Sequence, residues 1–221
     1  MLRRIFRLLP LDLRTKKYLK YFYFRSMAAL GLERFPALNN LDRKMLAYLP
    51  QRGGVFVEAG ANDGVSQSNT WFLEAYRGWT GLLVEPVPEL ASLARRFRRA
   101  PVENVALGAP EQDGSTLVLV EADLMTTAFR SGGSSGRQIS VPVRSLSALL
   151  DEHRITAIDF FSLDVEGFEI PVLKGLDLDR HAPKYMLIET GNVTAVAELL
   201  GPRYRLREAL SGHDYLFERI S

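Results

Sequence analysis

The chain has 221 residues, 47% of them hydrophobic, with a formal net charge of +2 and no cysteine. That length accommodates one sizeable α/β domain with a small addition, and the composition argues against disorder. The missing cysteines exclude disulfides, thiolate metal sites and cysteine nucleophiles, and fit a reducing cytosol. Charge is uneven: of 28 Lys and Arg and 26 Asp and Glu, residues 1–25 hold eight and one, leaving 20 and 25 for the remainder. A net-acidic remainder is not an obvious nucleic-acid binder, and no nucleic-acid partner is expected. No stretch approaches the roughly 18 apolar residues of a membrane span, and the start lacks the apolar run of a signal peptide. A cytoplasmic location is expected.

Residues 1–50 read as a helical N-terminal extension. Leu19, Phe22, Tyr23, Met27 and Leu30 recur near helical spacing, as do Leu38, Leu41, Met45 and Leu49. Pro10, Gly31, Pro36 and Pro50 punctuate the segment. Its basic residues alternate with Phe6, Tyr18, Tyr21, Phe22, Tyr23 and Phe24. That pattern fits a cap packed on the domain or on a second copy of the chain. It also fits a peripheral contact of residues 1–25 with an anionic membrane. The cap is preferred, because the aromatic area would otherwise be exposed.

From residue 51 to 221 the pattern is that of a Rossmann-like domain. GGVFVEAG is a buried strand entering a glycine turn, and SNTWFLEAYR a helix. WTGLLVEP is a second strand ending on Glu85. The next helix places Leu90, Leu93, Ala94 and Phe97 on one face, and PVENVAL is a short third strand. STLVLVEA reads as an outer strand, SGGSSG at 131–136 as a flexible loop, and 144–154 as a helix. IDFFSLDVEG and YMLIET are further strands. NVTAVAELLG is a helix capped by Asn192, and RYRLREAL with DYLFERI forms a last antiparallel pair. Alternating strands and helices predict a mostly parallel sheet covered on both faces, with ligands at the carboxyl ends of the strands. Those ends carry Glu58, Glu85, Asn104, Asp164 and Glu189.

The run Glu58-Ala-Gly-Ala-Asn-Asp-Gly64 has the form E-x-G-x-x-x-G after a strand. Gly60 allows a tight turn, and Gly64 is read as letting backbone approach a ligand. It lacks the G-x-G-x-x-G spacing that cradles a pyrophosphate, which counts against a nucleotide-dependent oxidoreductase. An acid at the strand end fits a cationic ligand group instead. Glu85 ends the second strand, where a carboxylate can accept two hydrogen bonds from a ribose diol.

Five blocks, VFVEAGANDGVSQSNT, GLLVEP, ENVALG, VPVRSLSALL and IDFFSLDVEGFEIPVLKG, occur in order and resemble the FkbM-type methyltransferases from about Gly54 to Arg219. The resemblance implies a class I methyltransferase fold with S-adenosylmethionine as methyl donor. It implies that Glu58, Gly60, Asn62 and Gly64 hold the methionine end, with Ser68 and Asn69 assisting. Glu85 would hold the ribose, Asn104 and Ala106 would border the adenine, and Asp164 to Gly167 would lie at the mouth. Family members commonly have Asp where this chain has Glu58, a change that keeps the carboxylate. A glycan or small-molecule acceptor is expected, methylated on oxygen.

An aliphatic hydroxyl needs a base or a metal to become a nucleophile. Asp164, Glu166 and His213 are the candidates for catalysis. Asp164, Glu189 and Asn192 are candidate oxygen ligands for Mg²⁺. A bracing role for Glu166 and Glu169 is the third alternative. The cluster Arg95, Arg96, Arg98 and Arg99 reads as the solvated face of its helix. A protein that keeps the fold and the cofactor but not turnover is the rival reading.

Overall fold

Four runs of nearly unbroken apolar residues become the centre of one sheet, because strands buried on both faces need apolar side chains on both. The computed structural model describes residues 11–121 and 137–220. The strands are β1 (Val55–Ala59), β2 (Thr80–Val84), β3 (Val102–Glu103), β4 (Ala106–Leu107), β5 (Thr116–Glu121), β6 (Arg137–Arg144), β7 (Phe160–Leu163), β8 (Tyr185–Glu189), β9 (Tyr204–Ala209) and β10 (Asp214–Arg219). The helices are α1 (Leu13–Ala29), α2 (Leu41–Met45), α3 (Trp71–Arg77), α4 (Pro88–Phe97), α5 (Leu146–Glu152), α6 (Glu169–Lys174) and α7 (Val193–Leu200).

The main sheet runs β3-β2-β1-β7-β8-β10-β9. Its pairs from β3 to β8 are parallel, and β10 is antiparallel to both of its neighbours. This is the expected α/β architecture with an antiparallel C-terminal pair. The chain order jumps from β1 to β7 in the middle of the sheet, which opens a crevice at their carboxyl ends. One face buries Val57, Val84, Leu163 and Ile188 under Leu149, Val172 and Val196. The other buries Phe56, Leu83, Phe160 and Leu187 under Leu73, Ala94, Leu41, Met45 and Leu49. Residues 41–49 of the N-terminal segment therefore supply core to the sheet itself.

The third expected strand is split. β3 stays on the main sheet, whereas β4 joins β6 and β5 in a separate three-stranded sheet. Between them Asn104 donates from Nδ2 to the carbonyls of Glu85 and Pro86, both at 2.9 Å. β6 is an addition to the expected elements. Ile139, Val141 and Val143 alternate along it, and the pairing with β5 runs from Thr116↔Pro142 to Glu121↔Arg137. The helix expected over 144–154 is shorter and begins at Leu146, after Ser145. The expected loop at 131–136 lies outside the described residues.

α1 packs as a cap. Tyr21 stacks on Phe97 with ring centroids 4.2 Å apart, and Phe24 meets Trp71 edge-on at 5.3 Å. Phe22 and Leu19 stay exposed on its outer side. Among the described residues no helix is long and apolar enough to cross a membrane.

Candidate functional site

A cleft opens at the carboxyl ends of β1, β2 and β7, walled by the turns that follow them. The first wall starts at Glu58, the fourth residue of β1, which is buried. Its Oε1 accepts the Asn69 N–H at 2.8 Å, and its Oε2 accepts from Ser68 Oγ at 2.9 Å and Thr70 Oγ1 at 2.5 Å. The three residues before α3 thus fold back onto the carboxylate. Behind them lies Arg98, whose Nη1 is 3.3 Å from Glu58 Oε2 and whose Nε is 3.3 Å from Glu74 Oε2. Arg98 also donates to the Gly64 carbonyl, Ser68 Oγ and Thr70 Oγ1.

Arg98 departs from the expected solvated cluster. Arg95, Arg96 and Arg99 are exposed, but the Arg98 side chain is 0% exposed. It is the residue that ends α4, with extended backbone angles of φ −115° and ψ 153°. That turn takes its side chain off the helical face and into the core. Two buried acids and one guanidinium satisfy one another there, as buried charges must. The Arg98 requirement also explains Gly64. Its φ is +82°, and a Cβ would stand 2.8 Å from Arg98 Cγ. Gly64 makes room for a side chain rather than for a ligand, and it does not line the cleft. Gly60 does line it, with φ +81°, and a Cβ would fall 1.8 Å from the Asp164 carbonyl oxygen. Only glycine lets these two strand ends touch.

Glu85, one residue beyond β2, forms the second wall. Its Oε2 accepts the Asn62 N–H at 2.7 Å and its Oε1 the Val87 N–H at 2.9 Å. Burial pushes its pKa up to about 7, against those two N–H groups and the Lys17 charge. Each oxygen keeps acceptor capacity beyond its one bond. Val105, Ala106 and Leu107 continue this wall. Asn104 does not line it. Its amide is spent on the Glu85–Pro86 turn, so it shapes the wall from behind.

The third wall is Asp164, Val165 and Glu166, after β7. Burial first, then the charges of Glu189, Glu166 and Asp214, push the Asp164 pKa up to about 8. Burial, with Asp214 and Glu166, raises Glu189 as well. The expected Mg²⁺ site is not formed: among the described residues no group of three His, Asp or Glu side chains is arranged to hold a metal. The Asn192 side-chain oxygen is already taken, accepting the Ala195 N–H at 3.1 Å as the cap of α7. Glu189 and Asn192 do not line the cleft. Neither does His213, which is exposed on the turn before β10 and reaches the site only through its charge on Glu189. His153 and His181 are engaged elsewhere, with Glu103 at 2.8 Å and Asp151 at 3.2 Å.

Asn69 carries the one cleft-lining side-chain atom that is buried and lacks a hydrogen-bond partner among the described residues. Its Nδ2 donates to Ser162 Oγ at 3.0 Å, and its Oδ1 accepts nothing. A buried bare acceptor is costly unless a ligand supplies the donor. Lys17 of α1 is a residue that spacing did not reveal. Its Nζ donates to Asn62 Oδ1 at 2.9 Å and to Asp63 Oδ2 at 2.8 Å, at the back of the first turn.

Residues 58–206 match the family described as the methyltransferase FkbM domain. The crystal structure of the methyltransferase FkbM from Methylobacillus flagellatus KT superposes with a TM-score of 0.52 at 17% identity. The alignment covers 98% of this chain and 57% of that one, so the chain spans little more than half of its length. An O-methyltransferase from Bacillus cereus, solved in complex with SAH, gives a TM-score of 0.47 at 14% identity, covering 97% of this chain and 93% of that one. Among curated proteins nothing matches.

Proposed function

Given that the chain belongs to the FkbM methyltransferase family, we propose that it moves a methyl group from S-adenosylmethionine to a hydroxyl oxygen of a glycan or glycosylated small molecule. The observation that carries the donor assignment is the unpartnered Asn69 Oδ1, in a cleft whose opposite wall is Glu85. The donor set fits this cofactor. Asn69 would accept from the ammonium of the methionine end, beside the Gly60 turn. Glu85 would accept from the ribose hydroxyls, and Ala106 with its neighbours would border the base. When bound, S-adenosylmethionine supplies an electrophilic methyl carbon on a cationic sulfur.

Glu58 would hold the methionine end from the same wall. It lines the cleft and positions Asn69 through the Asn69 N–H, and its Oε1 carries that one bond alone. Asp164 is the proposed catalytic base. It lies on the cleft wall, and its raised pKa makes its ionised form a stronger proton acceptor than an ordinary carboxylate. Methyl transfer is otherwise a matter of alignment, which three rigid strand ends provide. Glu166, at the same wall, would orient the acceptor.

Titration calorimetry with S-adenosylmethionine and S-adenosylhomocysteine tests the donor. Saturable heat from both is expected, and its absence from folded protein at millimolar ligand sinks the assignment. Transfer of a labelled methyl group into sugar and lipid-linked glycan pools tests the acceptor. Label appearing only on nitrogen or carbon would overturn the O-methyl reading.

A further inference from the structure

The sequence sets α1 apart from every cofactor motif, and the family match begins well after it, at residue 58. The geometry sets it against the cofactor turn. Lys17, four residues after Leu13 opens α1, is buried, as is Asp63, and the two are 2.8 Å apart. The same ammonium holds Asn62 Oδ1 at 2.9 Å. Asn62 has a left-handed backbone, φ +51°, and from that pose its N–H reaches Glu85 Oε2 at 2.7 Å. One residue therefore connects the helix to the carboxylate assigned to the ribose. Three residues on, Lys20 Nζ reaches Ser66 Oγ at 2.9 Å, in the same turn.

Two further observations place α1 at the site. A groove between α1 and α4 is walled by Leu13, Arg14, Lys17, Pro88, Leu90 and Leu93, and Leu90 also lines the cofactor cleft. The charge of Lys17 also acts on Glu85, opposing the effect of its burial. Asp63 shows how firmly the contact is made. Burial works against its charge, yet Lys17 and the bonds from Ser66 outweigh it and hold its pKa below the usual carboxylate value.

We propose that α1 is a working part of the methyl-donor site: Lys17 is a positioning residue that fixes Asn62, and through it Glu85, so that docking of α1 and binding of the donor reinforce each other. The inference rests on the donor reading above. The left-handed region is sparsely populated, though open to asparagine, and Asn62 Oδ1 is held there by two donors, the Lys17 ammonium and the Asp63 N–H at 2.8 Å. Removing the ammonium takes away one of the two and loosens the Asn62 N–H that Glu85 accepts. Linkage makes the effect reciprocal, since whatever α1 does for the donor, the donor does for α1.

The test uses the full chain and S-adenosylhomocysteine. Wild type and Lys17→Met are titrated by calorimetry, and amide hydrogen exchange of residues 13–29 is followed with and without the ligand. Lys17→Met is expected to bind about tenfold more weakly, within the usual range of coupling between sites. In wild type the ligand is expected to slow exchange across α1, and in Lys17→Met to leave it unchanged. A lysine that served packing alone would change melting temperature without changing that protection. Wild type that gives no heat overturns the donor reading and this inference with it. Wild type that binds, with Lys17→Met binding equally well, overturns the inference alone. Should Lys17→Met fail to fold, exchange on the wild type decides, and ligand-independent exchange across residues 13–29 overturns the coupling.

Discussion

Glu58 and Asp164 both stand at the carboxyl ends of neighbouring strands, and their surroundings are opposite. Glu58 is answered by a guanidinium and three donors from the turn before α3. Asp164 is half-buried, and Glu189, Glu166 and Asp214 act on it with like charge, with nothing cationic among the main influences. A cationic partner offsets the cost of burying a carboxylate charge, and crowding by like charges adds to it, so these two acids near neighbouring strand ends are set apart by their environment.

The largest expected effect comes from removing the cationic partner. Arg98→Met should leave Glu58 and Glu74 buried without a counter-charge and destabilise the fold by about 3–5 kcal/mol. Urea denaturation measures it, and a loss below about 1 kcal/mol would mean that water reaches the two acids and that the network is no scaffold. Next comes the proposed base. Asp164→Asn should stay folded, retain S-adenosylhomocysteine binding and lose at least about a hundredfold in kcat, the usual scale of a general base. An equally active variant would remove Asp164 from the chemistry.

Glu85 lies between the two extremes, with one backbone N–H on each oxygen and burial that raises its pKa to about 7. Glu85→Ala should weaken S-adenosylhomocysteine binding by about 1.5–3 kcal/mol if its bonds to the ribose are charge-assisted and buried. Unchanged calorimetric affinity would take Glu85 out of the site.

The remaining expectation is a pH dependence. A folded-state pKa of about 8 lies above the ordinary aspartate value of 3.8, so the fold holds a proton on Asp164 that the unfolded chain releases. That contribution to stability is complete below about pH 4 and is lost as pH rises through 8. Asp42, which burial pushes up to about 7, acts in the same direction. Melting temperature should therefore fall between pH 5 and 8.5 in wild type, and fall less in Asp164→Asn. Parallel profiles would show that Asp164 is solvated and ionised throughout.

Much of this arrangement was legible in the sequence. The strands with unbroken apolar runs, VFVEA, GLLV, FFSL and YMLIE, formed as expected because burial on both faces leaves little choice of residue. Their acidic ends were legible for the same reason: a carboxylate after such a run sits at the rim of the sheet. The alternation of Ile139, Val141 and Val143 is also a strand pattern, and Pro142 within it is what argues against a strand in sequence. Gly64 was legible as a glycine of special conformation but not in its purpose, which depends on Arg98.

What the sequence determined by itself is local: which segments are strands, where the turns fall, and which side chains end at the rim. Periodicity and backbone preference act over a few residues, so a few residues suffice to read them. Tertiary structure decided who answers whom. Arg98 meets Glu58 across 40 positions, Lys17 meets Asp63 across 46 and Asn69 meets Ser162 across 93. Burial and partner charge set how readily a carboxylate holds its charge, and both are properties of the packed interior rather than of neighbours along the chain.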